Sequence, residues 1–126
     1  MTSVNNMDKR QVEALFDLLP NAQYNPVFVV GEADEVIELL PTRGSNCLIL
    51  CVADIDTVST RDCECYIIRE FEDIDYEPGI QEKVADFIGN CILQKQQIII
   101  ISKIGINTMK LEGRLRSRVC SGVIIE

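Results

Sequence analysis

The sequence predicts an α/β domain of three layers, in which a central and mostly parallel sheet of four to five strands is flanked by helices. The uncharged apolar run at residues 97–101 is typical of a strand that is buried on both faces. Segments with strand-like and helix-like spacing alternate along the chain, with short polar connections between them. Because a length of 126 residues fits a single core, we expect one domain over residues 1–126.

The first predicted element is an amphipathic helix at about residues 7–19. Four apolar residues recur there with helical spacing, and Pro20 follows at once. These residues are Val12, Leu15, Phe16 and Leu19. We expect this apolar stripe to pack on the body of the domain, although a helix that docks on a partner protein would have the same pattern.

A strand, a helix and a second strand come next. The apolar residues 27–30 predict a short strand that ends at Gly31. Residues 33–40 carry apolar side chains on one helical face, and Pro41 ends that helix. The run at 47–52 predicts another buried strand, which leads into a polar connection.

The second half of the chain contains the clearest helix. Residues 65–71 predict a strand, and an acidic loop follows at 72–79. Apolar side chains then recur with a helical period over residues 80–92. This helix leads into the strand at 98–101, and the polar loop at 102–108 would lie where parallel sheets commonly bind ligands.

Residues 109–126 permit two interpretations. We favour a helix for the first half and a short strand from Val123, because Ser121–Gly122 is typical of a hairpin turn. Alternating basic and less polar residues in the first half would also suit a strand.

The net charge of −8 disfavours nucleic acid and anionic membranes as partners, because binding to phosphates depends on Lys and Arg. Arg114, Arg116 and Arg118 could form a small positive patch, but a solvated face is the simpler interpretation. No apolar run approaches the length of a membrane span, and the N-terminus lacks the layout of a signal peptide. We therefore expect a soluble, cytoplasmic protein that binds neither nucleic acid nor membrane.

The chain contains six cysteines and no histidine. The cysteines are Cys47, Cys51, Cys63, Cys65, Cys91 and Cys120. No C-x-x-C pair occurs, so a zinc site would need four thiolates from scattered positions. We therefore expect no metal and no cofactor, with the cysteines packed as small hydrophobes.

The loop at 102–108 is the predicted ligand site. A glycine-containing loop before a helix can present backbone N–H groups to an anion. Five residues would suit such a cradle: Ser102, Lys103, Gly105, Asn107 and Thr108. We expect weak binding of an anion or phosphate there, and the alternative is an ordinary polar loop of the kind that nearly every α/β protein has.

The order of elements over residues 27–108 resembles the cysteine-based protein tyrosine and dual-specificity phosphatases, especially their small bacterial and phage-type branch. In that family a strand and a loop ending in an aspartate precede a long helix, an apolar strand and the signature His-Cys-x-x-Gly-x-Ser-Arg-Ser. The segment Ile68-Arg69-Glu70-Phe71-Glu72-Asp73-Ile74 resembles the one that carries the general acid. The resemblance thus assigns that role to Asp73.

The resemblance also implies that the chain is not an enzyme. With the signature aligned on Gly105, the nucleophilic cysteine falls on Ser102 and the phosphate-binding arginine falls on Thr108. The family's reaction needs a thiolate nucleophile and a guanidinium that holds the phosphoryl oxygens. Asp73, Ser102 and Thr108 would then be degenerate equivalents of catalytic residues.

We therefore expect an inactive phosphatase-like domain that acts as a protein-binding or regulatory module, through the loop at 102–108, the acidic segment at 70–77 or the N-terminal helix. Three alternatives stay open. One is a divergent phosphatase that uses Ser102 or a shifted cysteine, and another is a structural or self-assembling component. The third is a receiver-like signalling domain, since acidic residues follow the strand at 47–52 and Lys103 follows a later strand.

Overall fold

The computed structural model describes residues 2–4, 25–39, 47–57, 63–74 and 78–125. The strands are β1 (Thr2–Val4), β2 (Val27–Val30), β3 (Cys47–Cys51), β4 (Cys65–Arg69), β5 (Gln97–Ser102) and β6 (Val123–Ile125). The helices are α1 (Ala33–Leu39), α2 (Pro78–Leu93) and α3 (Gly113–Val119), with short 3-10 helices at Val52–Thr57, Phe71–Asp73 and Ile106–Thr108. The helix predicted at residues 7–19 lies outside the described residues.

The six strands form one sheet in the order β1-β6-β2-β5-β4-β3, and every neighbouring pair is parallel. β5 lies between β2 and β4, so that Ile99 is beside Val27 on one side and Ile67 on the other. All six residues of β5 are buried, as its uninterrupted apolar run predicts. The predicted α/β fold class is confirmed.

Side chains alternate between the two faces of the sheet along each strand, so both faces are apolar. Helices cover both of them. On one face, Ala33 and Val36 of α1 pack with the inward residues of β2 and β5. On the other face, α2 and α3 pack against each other and against the sheet, with Ile88 and Leu115 fully buried. Tyr66 and Phe87 meet there edge to face, at 5.2 Å between ring centroids.

The C-terminal segment forms α3 and β6, as the favoured interpretation predicts. The prediction of a hairpin turn at Ser121–Gly122 is wrong. These residues connect α3 to β6, and β6 pairs in parallel with β1 and β2. Ser121–Gly122 has the composition of a hairpin turn. A hairpin joins two antiparallel strands, however, and this dipeptide joins a helix to a strand. β1 was not predicted, since its three residues carry no apolar alternation long enough to recognise.

The direction of the crossovers changes between β2 and β5. From β2 the chain passes over β5 and β4 to the edge strand β3, whereas from β5 it passes over β2 to β6 in the opposite direction. Right-handed crossovers then place α1 on one face and α2 and α3 on the other. A crevice opens at the carboxyl ends of adjacent strands where the direction changes, which here are β2 and β5.

Candidate functional site

A backbone hydrogen bond and a pair of oppositely charged side chains join the carboxyl ends of β2 and β5. The N–H of Gly31 donates to the carbonyl of Ser102 at 2.8 Å, which extends the ladder one residue beyond β2. Glu32 follows Gly31, and its carboxylate lies 3.9 Å from the ammonium of Lys103. This crevice therefore holds an acidic side chain on the β2 side and a basic one on the β5 side.

The end of β4 adds further charge to the same edge. Arg69, the last residue of β4, lies 3.3 Å from Asp34 of α1 and 3.7 Å from the carboxylate of Glu70. Glu70 has a φ of 58°, in the left-handed region that residues other than glycine seldom adopt. The thiol of Cys51 at the end of β3 lies 3.9 Å from the Glu70 carboxylate. Arg69 thus links α1 to β4 across the carboxyl edge.

The predicted cradle at 102–108 uses many of its polar groups internally. The backbone N–H of Lys103 donates to Glu72 at 2.9 Å. Ser102 is only 1% exposed, and its hydroxyl donates to the Ile104 carbonyl at 2.8 Å and accepts the Ile104 N–H at 3.2 Å. The Thr108 hydroxyl donates to the Gly105 carbonyl at 2.7 Å. Lys103 and Thr108 are exposed.

The five predicted ligand residues are thus close in the chain but differ in role. The Ser102 hydroxyl closes the turn after β5, and Gly105 precedes the 3-10 helix Ile106–Thr108 that contains Asn107 and Thr108. The Glu72 carboxylate accepts the hydrogen bond from the Lys103 N–H, a donor that a bound anion would need. Binding of a ligand by these five residues stays a prediction.

Asp73 lies at a different place on the same edge. It ends the 3-10 helix after β4 and lines a cavity of about 350 Å³ with Lys83 of α2. The other described lining residues are apolar: Val52, Ala53, Ile55, Ile80 and Val84. From the acidic loop predicted at 72–79, Asp73 therefore lines a mixed apolar and charged recess.

Burial raises the pKa of the thiols of Cys47, Cys65 and Cys91. It raises the pKa of the Cys65 thiol and, with the nearby Cys63 as a second cause, raises the pKa of Cys91 to about 12. Burial is also the main cause that raises the pKa of Cys47, whose side chain hydrogen bonds with Cys65 in the neighbouring strand. Since the thiolate is the nucleophile, these thiols are poor nucleophiles at neutral pH. All six cysteines are free thiols.

The basic residues of α3 hold the fold together. Arg114 pairs with Asp86 of α2, and Arg116 donates to the carbonyls of Ile106 and Met109 at 3.3 and 2.7 Å. Arg118 crosses α2 at Gly89, where a Cβ atom would overlap its guanidinium. The three arginines thus dock α3 and the segment before it.

Sequence reasoning did not identify Glu32 or Arg69 as parts of a site. Arg69 ends β4, and Glu32 lies two residues after the last residue of β2, so a position at the end of a strand is the signal that could have identified them. That signal becomes useful only when the strand order is known, because β2 and β5 are neighbours in space and far apart in the chain.

No family model and no curated protein matches this chain. Solved structures do match it in fold. A DNA replication initiation factor aligns with 16% identity and a TM-score of 0.72 over 93% of this chain and 44% of its own. Domain III of the Thermotoga maritima replication initiation protein DnaA aligns with 13% identity and a TM-score of 0.69, over 93% and 59%. The replication initiator DnaA bound to AMPPCP and single-stranded DNA aligns with 16% identity and a TM-score of 0.71, over 92% and 44%.

These neighbours establish the fold, and the chain spans about half the length of the solved chains that it matches. They overturn the resemblance to phosphatases, because the fold matched over nearly the whole chain is that of DnaA domain III. The interpretation as an inactive phosphatase is therefore wrong, and its three alternatives find no support either. Asp73, Ser102 and Thr108 consequently have no basis as degenerate catalytic residues. The physical reason is that alternating strands and helices specify a class of folds and leave the strand order open.

The exclusion of nucleic acid also conflicts with these neighbours, since one of them is bound to single-stranded DNA. Net charge describes the average field of a chain, and it does not exclude a local site. Within the parts of the chain that the structure describes, no helix is long and apolar enough to cross a membrane.

Proposed function

We propose that this chain acts in the initiation of DNA replication, as a protein that binds a replication initiator. The observation that supports the proposal is the fold, which matches DnaA from Aquifex aeolicus over 93% of the chain at a TM-score of 0.71. Fold alone does not determine function, so the chemistry of the carboxyl edge has to decide how such a domain would act.

The carboxyl edge carries an excess of negative charge. The acidic edge, as we name it, consists of Glu32, Asp34, Glu70, Glu72 and Asp73. The described basic side chains paired with it are Arg69 and Lys103. The sequence contains no G-x-x-x-x-G-K-[S/T] loop, the motif whose backbone and lysine hold nucleotide phosphates. Carboxylates repel phosphate groups and attract Lys and Arg side chains, so this edge suits a basic surface on another protein.

The experiment measures binding of the purified chain to the replication initiator of its own source organism, by biolayer interferometry at low and high salt. We expect an affinity that falls as salt rises, because exposed charge pairs are screened. A triple variant, Glu32→Gln, Asp34→Asn and Glu72→Gln, should weaken binding about tenfold or more. The matched control removes three exposed carboxylates elsewhere, as Glu38→Gln, Glu64→Gln and Glu82→Gln, and should bind like the wild type. Equal loss in both triple variants would contradict a role for the acidic edge.

Binding of an adenine nucleotide in the crevice between β2 and β5 is a second candidate. The observation in its favour is that two of the solved neighbours are bound to AMPPCP, while Lys103 places one cation at this crevice. Calorimetric titration with AMPPCP, with and without Mg²⁺, distinguishes the two candidate functions. Under our main proposal no heat of binding is seen, whereas binding that Lys103→Ala abolishes would favour the nucleotide.

A further inference from the structure

The recess that Asp73 lines lies between three segments at the carboxyl edge of the sheet, and its volume is about 350 Å³. The segments are the 3-10 helix Val52–Thr57 after β3, the 3-10 helix Phe71–Asp73 after β4, and the first half of α2. None of the described lining residues belongs to β2, β5 or the loops that follow them, so the recess is separate from the crevice between those strands. Ligand pockets commonly measure about 300–1,000 Å³, which makes this recess suitable for a small molecule.

The buried residues among those described in the lining are all apolar. The floor of the recess, as we name it, consists of Val52, Ile55 and Val84. All three belong to the core cluster on the side of α2, and the half-buried Ile80 packs against that cluster. An apolar group placed against the floor would leave water, which favours binding. The floor contains aliphatic side chains alone, so it suits an aliphatic group.

The exposed residues in the lining carry opposite charges. Asp73 ends the 3-10 helix after β4, and Lys83 lies in the second turn of α2. Both side chains are exposed, and the small Ala53 is the third exposed residue among those described in the lining. The recess therefore offers one anionic and one cationic group to a bound molecule, next to an apolar floor.

These two charges restrict the class of molecule that fits. An amine without an anionic group would be repelled by Lys83, and a carboxylic acid without a cationic group would be repelled by Asp73 and by Glu72 beside it in the chain. A fully apolar molecule would take water from both charged groups and pair with neither of them. A molecule with one positive group, one negative group and an aliphatic group avoids all three penalties.

We propose that the recess binds a free α-amino acid with an aliphatic side chain, such as leucine. The ammonium group of the ligand pairs with Asp73, its carboxylate pairs with Lys83, and its side chain packs on the floor. Asp73 is also part of the acidic edge. The variant that tests the acidic edge leaves Asp73 unchanged, however, so this proposal and the replication function succeed or fail separately.

The experiment titrates the isotope-labelled chain with leucine and follows its amide resonances by two-dimensional NMR. We expect saturable changes at the amides of residues 52–55 and 80–84, with a dissociation constant in the millimolar range because both ion pairs are exposed. The amides of Glu64 and Gln97, which lie at the opposite, amino ends of β4 and β5, should not change.

Three analogues each lack one feature of leucine. Glycine lacks the aliphatic side chain and should bind at least about tenfold more weakly. Isoamylamine lacks the carboxylate and isocaproate lacks the ammonium group. Each of these two should bind at least about threefold more weakly than leucine, because one ion pair is lost and one repulsion remains.

Two variants assign the charged groups of the ligand to their partners. Asp73→Asn should remove the preference for leucine over isocaproate and keep the preference over isoamylamine, and Lys83→Met should do the reverse. Glu64→Gln and Lys95→Met, at exposed positions near the amino ends of the strands, are the controls and should keep both preferences. The amide spectra also show whether each variant is folded.

Three results would overturn the proposal. The first is the absence of saturable changes with leucine up to the limit of its solubility. The second is a wild-type chain that binds isocaproate or isoamylamine as tightly as leucine. The third is a pair of preferences that neither Asp73→Asn nor Lys83→Met alters.

Discussion

The backbone of Gly122 lies against the carbonyl of Pro26, so closely that a Cβ atom at residue 122 would overlap the Pro26 oxygen. The next residue, Val123, donates its N–H to that same oxygen at 3.1 Å. This contact sets where β6 begins beside β2, and it brings the two strands into register at their amino ends.

Gly122→Ala should lower the free energy of unfolding by about 1–3 kcal/mol, because the overlapping atoms belong to backbone that has little room to move. Gly113→Ala is the control, since a Cβ atom there meets nothing within 4 Å. It should leave stability unchanged or raise it by up to about 1 kcal/mol through helix propensity. Urea unfolding midpoints compare the two variants, and equal midpoints would contradict the close approach.

Gln81 joins α2 to the segment before α3. It is 2% exposed, donates to the Lys110 carbonyl at 3.0 Å and accepts the Glu112 N–H at 2.6 Å. Gln81→Leu removes both bonds and leaves the two backbone groups without that partner, at a cost of about 1–3 kcal/mol. Glu82→Leu, at the exposed neighbouring position, should change stability far less. Thermal unfolding followed by circular dichroism tests this difference.

Arg116 holds the turn between β5 and α3. Its guanidinium spans the carbonyls of Ile106 and Met109, which a lysine ammonium is too compact to do. Arg116→Lys should therefore increase hydrogen exchange at the Thr108 and Met109 amides roughly tenfold, in line with the loss of about one hydrogen bond. Arg114→Lys keeps the charge that pairs with Asp86 and should leave those amides unchanged.

The buried thiol of Cys91 makes stability depend on alkaline pH. Its pKa is raised from 9.0 to about 12 in the folded protein, mainly by burial. The folded state therefore holds the proton more tightly, so this contribution is complete below pH 9 and declines as pH rises towards 12. We expect the free energy of unfolding to fall over that range, and Cys91→Ala to show a shallower fall. Identical slopes would contradict the prediction.

Local patterns in the sequence predicted the individual elements well. The helical period over residues 80–92 corresponds to α2, and the uncharged run at 98–101 corresponds to the buried centre of β5. These features arise within one segment, where side-chain spacing reflects which faces are buried. The α/β class follows from their alternation.

The strand order could not be predicted from such patterns, and the candidate site depends on it. Glu32 meets Lys103 because β2 lies beside β5, although the two residues are far apart in the chain. Several folds share the same alternation of elements, and the phosphatase resemblance was therefore compatible with the sequence and wrong. The basic run of α3 was likewise ambiguous until the structure placed Arg114 beside Asp86 and Arg116 at two carbonyls.

We propose that this chain binds a replication initiator through its acidic edge. The most direct test of this proposal is the affinity of the purified chain for the initiator of its own organism, measured for the wild type and the two triple carboxylate variants. We expect salt-sensitive binding that is weakened about tenfold or more by the triple variant Glu32→Gln, Asp34→Asn and Glu72→Gln, and is kept by the control variant at Glu38, Glu64 and Glu82. Absence of binding by the wild type at low salt would contradict it.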